Sequence, residues 1–71
     1  MDQIKIGKFI AECRKEKNLS QLQLAKMLKI TDKAVSKWER GLAMPSYSII
    51  IKLCNILDIS ASELLQRGEQ Q

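Results

Sequence analysis

The sequence predicts an all-α domain of five short helices. Two observations carry that expectation. Apolar residues recur at three- and four-residue spacings in five successive blocks, and Ser, Thr, Asn, Gly and Pro stand between the blocks, where helices start and stop. A third observation is negative: no strand pattern of β-branched and aromatic residues bounded by turns is present. A chain of 71 residues holds one domain with one small core. Phe9, Trp38 and Tyr47 are its aromatic residues, so Leu and Ile must fill that core.

The first helix is predicted over about residues 4–17. Ile6, Phe9, Ile10 and Cys13 form one buried stripe, with Lys5, Lys8, Glu12 and Lys15 lying off it. Asn18 is a stop, because Asn tolerates the left-handed backbone at a helix end. The second helix begins after Ser20, which has the form of a capping box with Gln23. It turns Leu24, Ala25 and Leu28 inward, and Lys29, Ile30 and Thr31 then make a tight turn. The third helix, over about 32–40, takes Thr31 as N-cap and Gly41 as stop, with Val35 and Trp38 facing inward. The fourth starts near Ser46, after Pro45. Ile50, Leu53, Cys54 and Leu57 form its stripe, and Ile49 and Ile51 broaden it, which predicts that this helix is the central one. The fifth follows Ser60, a second capping box with Glu63, and is anchored by Leu64 and Leu65. The expected domain is 1–66, with 67–71 as a flexible tail.

Charge is unevenly placed. The net +4 resolves into zero over residues 1–13, +5 over 14–40 (eight basic residues against three acidic) and −1 over 41–71. A basic centre in a small domain points to a polyanionic partner. Cys13 and Cys54 both fall on apolar helical stripes, which predicts reduced core thiols and a cytoplasmic location rather than a disulfide. The start of the chain reads as a charged amphipathic helix, not a leader, and no apolar run reaches the length of a membrane span.

The informative segment is Ser20–Gly41. Two short helices separated by a three-residue turn, the second amphipathic and basic, have the geometry of a helix-turn-helix. The major groove of DNA is about 12 Å wide and just admits an α-helix. A helix that reads it needs one stripe to lock onto a core and an opposite stripe to offer donors to bases and phosphates. The third helix supplies both, with Lys33, Ser36, Lys37 and Arg40 on the outward stripe. Enzymatic function is excluded on the residues: there is no His, no Gly-rich phosphate loop and no metal-ligand spacing of Cys, and no nucleophile, base and orienter come together. No catalytic residue, metal, cofactor or small-molecule ligand is expected.

The same residues resemble a known family. Leu19-Ser20-Gln21, Leu24-Ala25, Leu28, Ile30-Thr31, the run Val35-Ser36-Lys37-Trp38-Glu39-Arg40-Gly41 and Pro45 are similar to the lambda repressor/Cro (Xre) regulators, over residues 6–65. The resemblance implies a five-helix lambda-repressor-like domain that binds double-stranded operator DNA, with its helix-turn-helix at about 20–41, acting as a bacterial or phage repressor and usually as a homodimer. It places Gln21 on the DNA backbone, Asp32, Lys33 and Lys37 at base edges, and Ser36 and Arg40 nearer phosphates, with Thr31 completing the DNA-facing set. It makes Arg14 and Glu39 a structural ion pair. Lys29 departs from the family, which usually has Gly there. A left-handed Lys would cost about 1 kcal/mol. Leu22 and Met27 stand where polar residues are usual, and Leu42, Ala43 and Met44 form an apolar loop where some relatives are basic. That loop favours the rival reading, a protein-interaction module of antitoxin or adaptor type on the same fold. A self-contact would come from the helix 4–5 region with Leu65, or from this loop.

Overall fold

The structure, a computed structural model, describes residues 2–68. Five helices follow in order: α1 Gln3–Glu16, α2 Gln21–Leu28, α3 Asp32–Glu39, α4 Tyr47–Leu57 and α5 Ala61–Gly68. The described residues contain no strand.

Side-chain caps start every helix. Asp2, which carries no expectation from the sequence, accepts from the amides of Ile4 and Lys5 at 2.9 and 3.1 Å and so begins α1 one residue early. Ser20 and Gln23 complete both halves of their capping box. Thr31 caps α3, Ser46 caps α4, and the Ser60 hydroxyl accepts the Glu63 amide.

The first four helices share one way of stopping. Asn18, Lys29, Gly41 and Asp58 each take a left-handed backbone, with φ of 59°, 60°, 75° and 59°. In each case the next amide reaches back to the last turn: Leu19 to the Arg14 carbonyl, Ile30 to Ala25, Leu42 to Lys37 and Ile59 to Cys54. This is the Schellman arrangement, in which an apolar residue after the left-handed one folds back onto its helix. Leu19, Ile30 and Ile59 do fold back against the core. Leu42 does not, and remains 62% exposed.

The core gathers Ile6, Phe9, Ile10 and Cys13 of α1, Leu24, Ala25 and Leu28 of α2, Val35 and Trp38 of α3, four α4 residues and Leu64. The expectation that α4 is central is corrected: the most extensive packing is shared by α1, on α3 and α5, and α3, on α1 and α2. Ile50, Leu53, Cys54 and Leu57 are buried as expected, but Ile49 is only half-buried and Ile51 is exposed. Three successive isoleucines widen the apparent stripe, yet α4 has only one face against the domain. Gly7 explains how α1 comes so near α3. A Cβ there would overlap the Trp38 carbonyl oxygen, so the two backbones meet where only hydrogen fits.

Leu65 is half-buried, and α5 is anchored by the fully buried Leu64 with Ala61 packed beside it. Arg67 and Gly68, expected in the tail, continue α5, and the Arg67 guanidinium lies 4.4 Å from the centre of the Phe9 ring. The rest of that expected tail, 69–71, lies outside the described residues. Cys13 and Cys54 are free and buried, and burial pushes both thiols above their ordinary pKa. No helix among the described residues is long and apolar enough to cross a membrane.

Candidate nucleic-acid interface

The candidate surface rests on α2 and α3, which pack against each other through the turn 29–31. Val35 and Trp38 are 0% and 5% exposed and fix α3 to the core. The opposite side of α3 is thereby held outward. Thr31, Asp32, Lys33, Lys37 and Arg40 are all exposed, while Ser36 is half-buried. Thr31 has its hydroxyl turned to the Ala34 amide as a cap. Arg40 uses its Nε on the Ser36 carbonyl, at 3.4 Å. The side chains of Asp32, Lys33 and Lys37 make no hydrogen bond or ion pair with any described residue. An acid and two amines on one exposed stripe thus keep their full bonding capacity, and Asp32 stays unpaired although Lys33 is its neighbour.

Gln21 stands at the first helical position of α2 and is half-buried. Its Nε2 donates to Glu39 Oε1 at 3.0 Å, a contact that no sequence pattern announces. A primary amide has a second N–H to give outward. Glu39 is the hub of this corner. Its carboxylate also takes Arg14 Nε at 2.7 Å and Nη2 at 3.0 Å, a two-point pair with side chains 10% and 8% exposed. The remaining Arg14 nitrogen, Nη1, donates to the Leu19 carbonyl at 2.6 Å. The Glu39 hydrogen bond raises the Arg14 pKa against the opposing effect of burial, so the guanidinium stays charged. One cluster therefore ties the end of α1, the start of α2 and the end of α3.

The loop after α3 is less apolar on its surface than its residues suggest. Ala43 and Met44 pack against the core, and only Leu42 of the three stands out. Gln3 Nε2 holds the loop by donating to the Gly41 carbonyl at 3.1 Å. Leu22 and Met27 are exposed on α2, and Tyr47 and Ile51, one turn apart on α4, are exposed at 75% and 47%. This α4 pair does not show in the sequence, where Tyr47 counts only among the aromatics and Ile51 falls within an apolar run. No three of Cys, Asp and Glu gather as metal ligands among the described residues, and the chain has no His.

A family model for helix-turn-helix domains matches residues 10–64. The chain is similar to an uncharacterized HTH-type transcriptional regulator, YqaE, of Bacillus subtilis (strain 168), at 42% identity over 60 residues, or 84% of this chain and 51% of that protein. It is 38% identical over 65 residues to YonR, an SPbeta prophage-derived HTH-type transcriptional regulator of the same strain, covering 92% of this chain and 60% of that one. The chain thus spans little more than half the length of these curated relatives. Among solved structures it is similar to the restriction-modification controller protein C.AhdI from Aeromonas hydrophila. That match has a TM-score of 0.81 and 38% identity, covering 89% of this chain and 91% of that one.

Proposed function

The chain belongs to the helix-turn-helix family of the lambda-repressor type, and on that premise we propose that it is the DNA-reading domain of a transcriptional regulator, working on double-stranded DNA as a symmetric homodimer. The observation that carries this reading is the outward stripe of α3: Lys33, Lys37 and Arg40 exposed, with Val35 and Trp38 clamped beneath them. Lys33, Lys37 and Asp32 face base edges. Arg40, Ser36, Thr31 and the free amide hydrogen of Gln21 meet the backbone on either side. Arg14 and Glu39 touch no DNA but fix the angle between α2 and α3.

The homodimer follows from information. One helix-turn-helix reads a few base pairs, too few to find a site in a genome. Two copies related by a two-fold axis place their recognition helices about 34 Å apart, on successive turns of one face of the duplex. Tyr47 and Ile51 on α4, with Leu65 on the following helix, supply the self-contact. Occupying a promoter in this way represses by occlusion. The location is the cytoplasm, where the DNA is and where two unpaired thiols persist. The protein-interaction alternative retains only Leu42 of the loop that favoured it.

Purified protein incubated with genomic fragments should retain a discrete set carrying pseudo-palindromes. Footprinting should then show loss of cooperative occupancy when about five base pairs, half a helical turn, are inserted between half-sites. Failure to retain any duplex contradicts DNA reading. Retention with half-sites filled independently of spacing leaves DNA reading standing and contradicts the dimer.

A further inference from the structure

We infer that the half-site read by α3 is built on G·C pairs: guanines under Lys33 and Lys37, and a cytosine under Asp32. This rests on the DNA-reading function proposed above and deepens it from duplex DNA to a class of sequence.

The major groove presents a different face for each base. Guanine offers two acceptors, N7 and O6, which suit an amine. Cytosine offers an amino donor, which suits a carboxylate. Adenine offers one acceptor and one donor, which suits Asn or Gln. Thymine offers an acceptor beside a methyl group, which suits an apolar contact. The exposed residues of α3 can be sorted against that code. Lys33 and Lys37 carry donors only, and Asp32 carries acceptors only. None of the three side chains is engaged by another described residue, so these capacities are available to bases. Nothing on α3 matches adenine: residues 32–39 include neither Asn nor Gln. Gln21, at the start of α2, has its amide committed in part to Glu39. Little matches the thymine methyl, because Val35 and Trp38 are buried and Ala34 is half-buried.

Spacing adds a register. Lys33 and Lys37 are four residues apart, about 6 Å along a helix, which is close to two base-pair steps of about 3.4 Å. Asp32 and Lys33 are adjacent at the N-terminal turn, the part of a recognition helix that reaches base edges. An acid beside an amine there suits a cytosine and a guanine that are neighbours or partners. The acid also sharpens the choice. A carboxylate set against the O6 and N7 acceptors of guanine or the O4 acceptor of thymine is repelled, so Asp32 rejects those bases as well as selecting an amino donor.

Selection from a pool of random duplexes tests this with no operator sequence assumed. The bound fraction should converge on half-sites with two guanines about two steps apart and an adjacent G·C pair. Replacing guanine by 7-deazaguanine at either position removes N7 while keeping base pairing, and should weaken binding about tenfold. Lys37→Gln should move the preference at one position from guanine towards adenine. Asp32→Ala should raise affinity for unrelated duplex and lower the ratio of selected to unrelated binding. A selected consensus centred on A·T pairs overturns the inference while leaving DNA reading intact, as does salt-sensitive binding with no consensus at all. A pool from which nothing is retained overturns the proposed function itself.

Discussion

Glu39 accepts from Arg14 twice and from Gln21 once, while Arg14 spends its remaining reach on the Leu19 carbonyl. Both charges are nearly out of water, so neither is cheaply left alone. Arg14→Ala strands the Glu39 carboxylate and should destabilise the domain by about 3–5 kcal/mol. In a domain this small that lowers the thermal midpoint by more than about 10 °C. The double change Arg14→Met with Glu39→Leu should cost far less, since it removes the buried charges together. A thermal midpoint for Arg14→Ala within a degree or two of wild type would contradict the shielded pair. The left-handed residues are the other feature at this scale. Lys29 holds φ of 60° with a Cβ that disfavours it. Lys29→Gly should stabilise the fold by up to about 1 kcal/mol in urea titrations, and loss of stability would show that the Lys side chain matters more than its backbone. Some of these positions were legible and some were not. Asn18 and Gly41 announce a helix end by residue type, and Lys29 was suspect because the resembling family has Gly there. Asp58 gave no signal, because Asp before a capped helix reads as an ordinary loop residue. The Gln21–Glu39 bond joins side chains 18 residues apart, and nothing local encodes it.

Between elements, the tightest constraint is the α1–α3 crossing. Gly7 lies on the buried side of α1, where residue type alone suggests a weak helix position costing about 1 kcal/mol relative to Ala. The structure gives that position a different role: the added methyl would collide with backbone, which cannot rotate away. Gly7→Ala should therefore destabilise by at least about 1–3 kcal/mol, measured by urea unfolding, despite its better helix propensity. A gain in stability would mean that the helices stand further apart than described. In the proposed function α3 is the recognition helix, so the same substitution should also tilt the reading surface. Helix positions were legible throughout, since caps and three-four periodicity are local. The order of packing was not. The Ile-rich stretch Ile49–Leu57 of α4 looked like the middle of the domain, whereas the most extensive packing fell to α1 and α3, which meet at a glycine that periodicity ignores.

At the scale of the whole molecule, the domain sets a rigid three-helix corner, locked by Arg14, Glu39 and Gln21, behind a stripe whose amines and acid are unspent. The stripe was legible because a basic face opposite Val35 and Trp38 is a sequence pattern. Its availability was not, since only the structure shows that the Arg40 side chain bonds its own helix while the Lys33 and Lys37 side chains bond no described residue. Charge on this stripe gives the central claim its most direct test. Affinity for duplex DNA is measured across a series of salt concentrations for the wild type and for Lys33→Ala, Lys37→Ala and Arg40→Ala. A protein that displaces counterions from several phosphates loses affinity linearly in logarithmic coordinates, with a slope of about −0.9 per phosphate contacted. The account predicts such a line for the wild type, a shallower one for Arg40→Ala, and for the two Lys variants a loss concentrated on the selected site rather than on unrelated duplex. Wild-type binding indifferent to salt, or all three variants binding as the wild type does, would contradict the claim that α3 reads DNA.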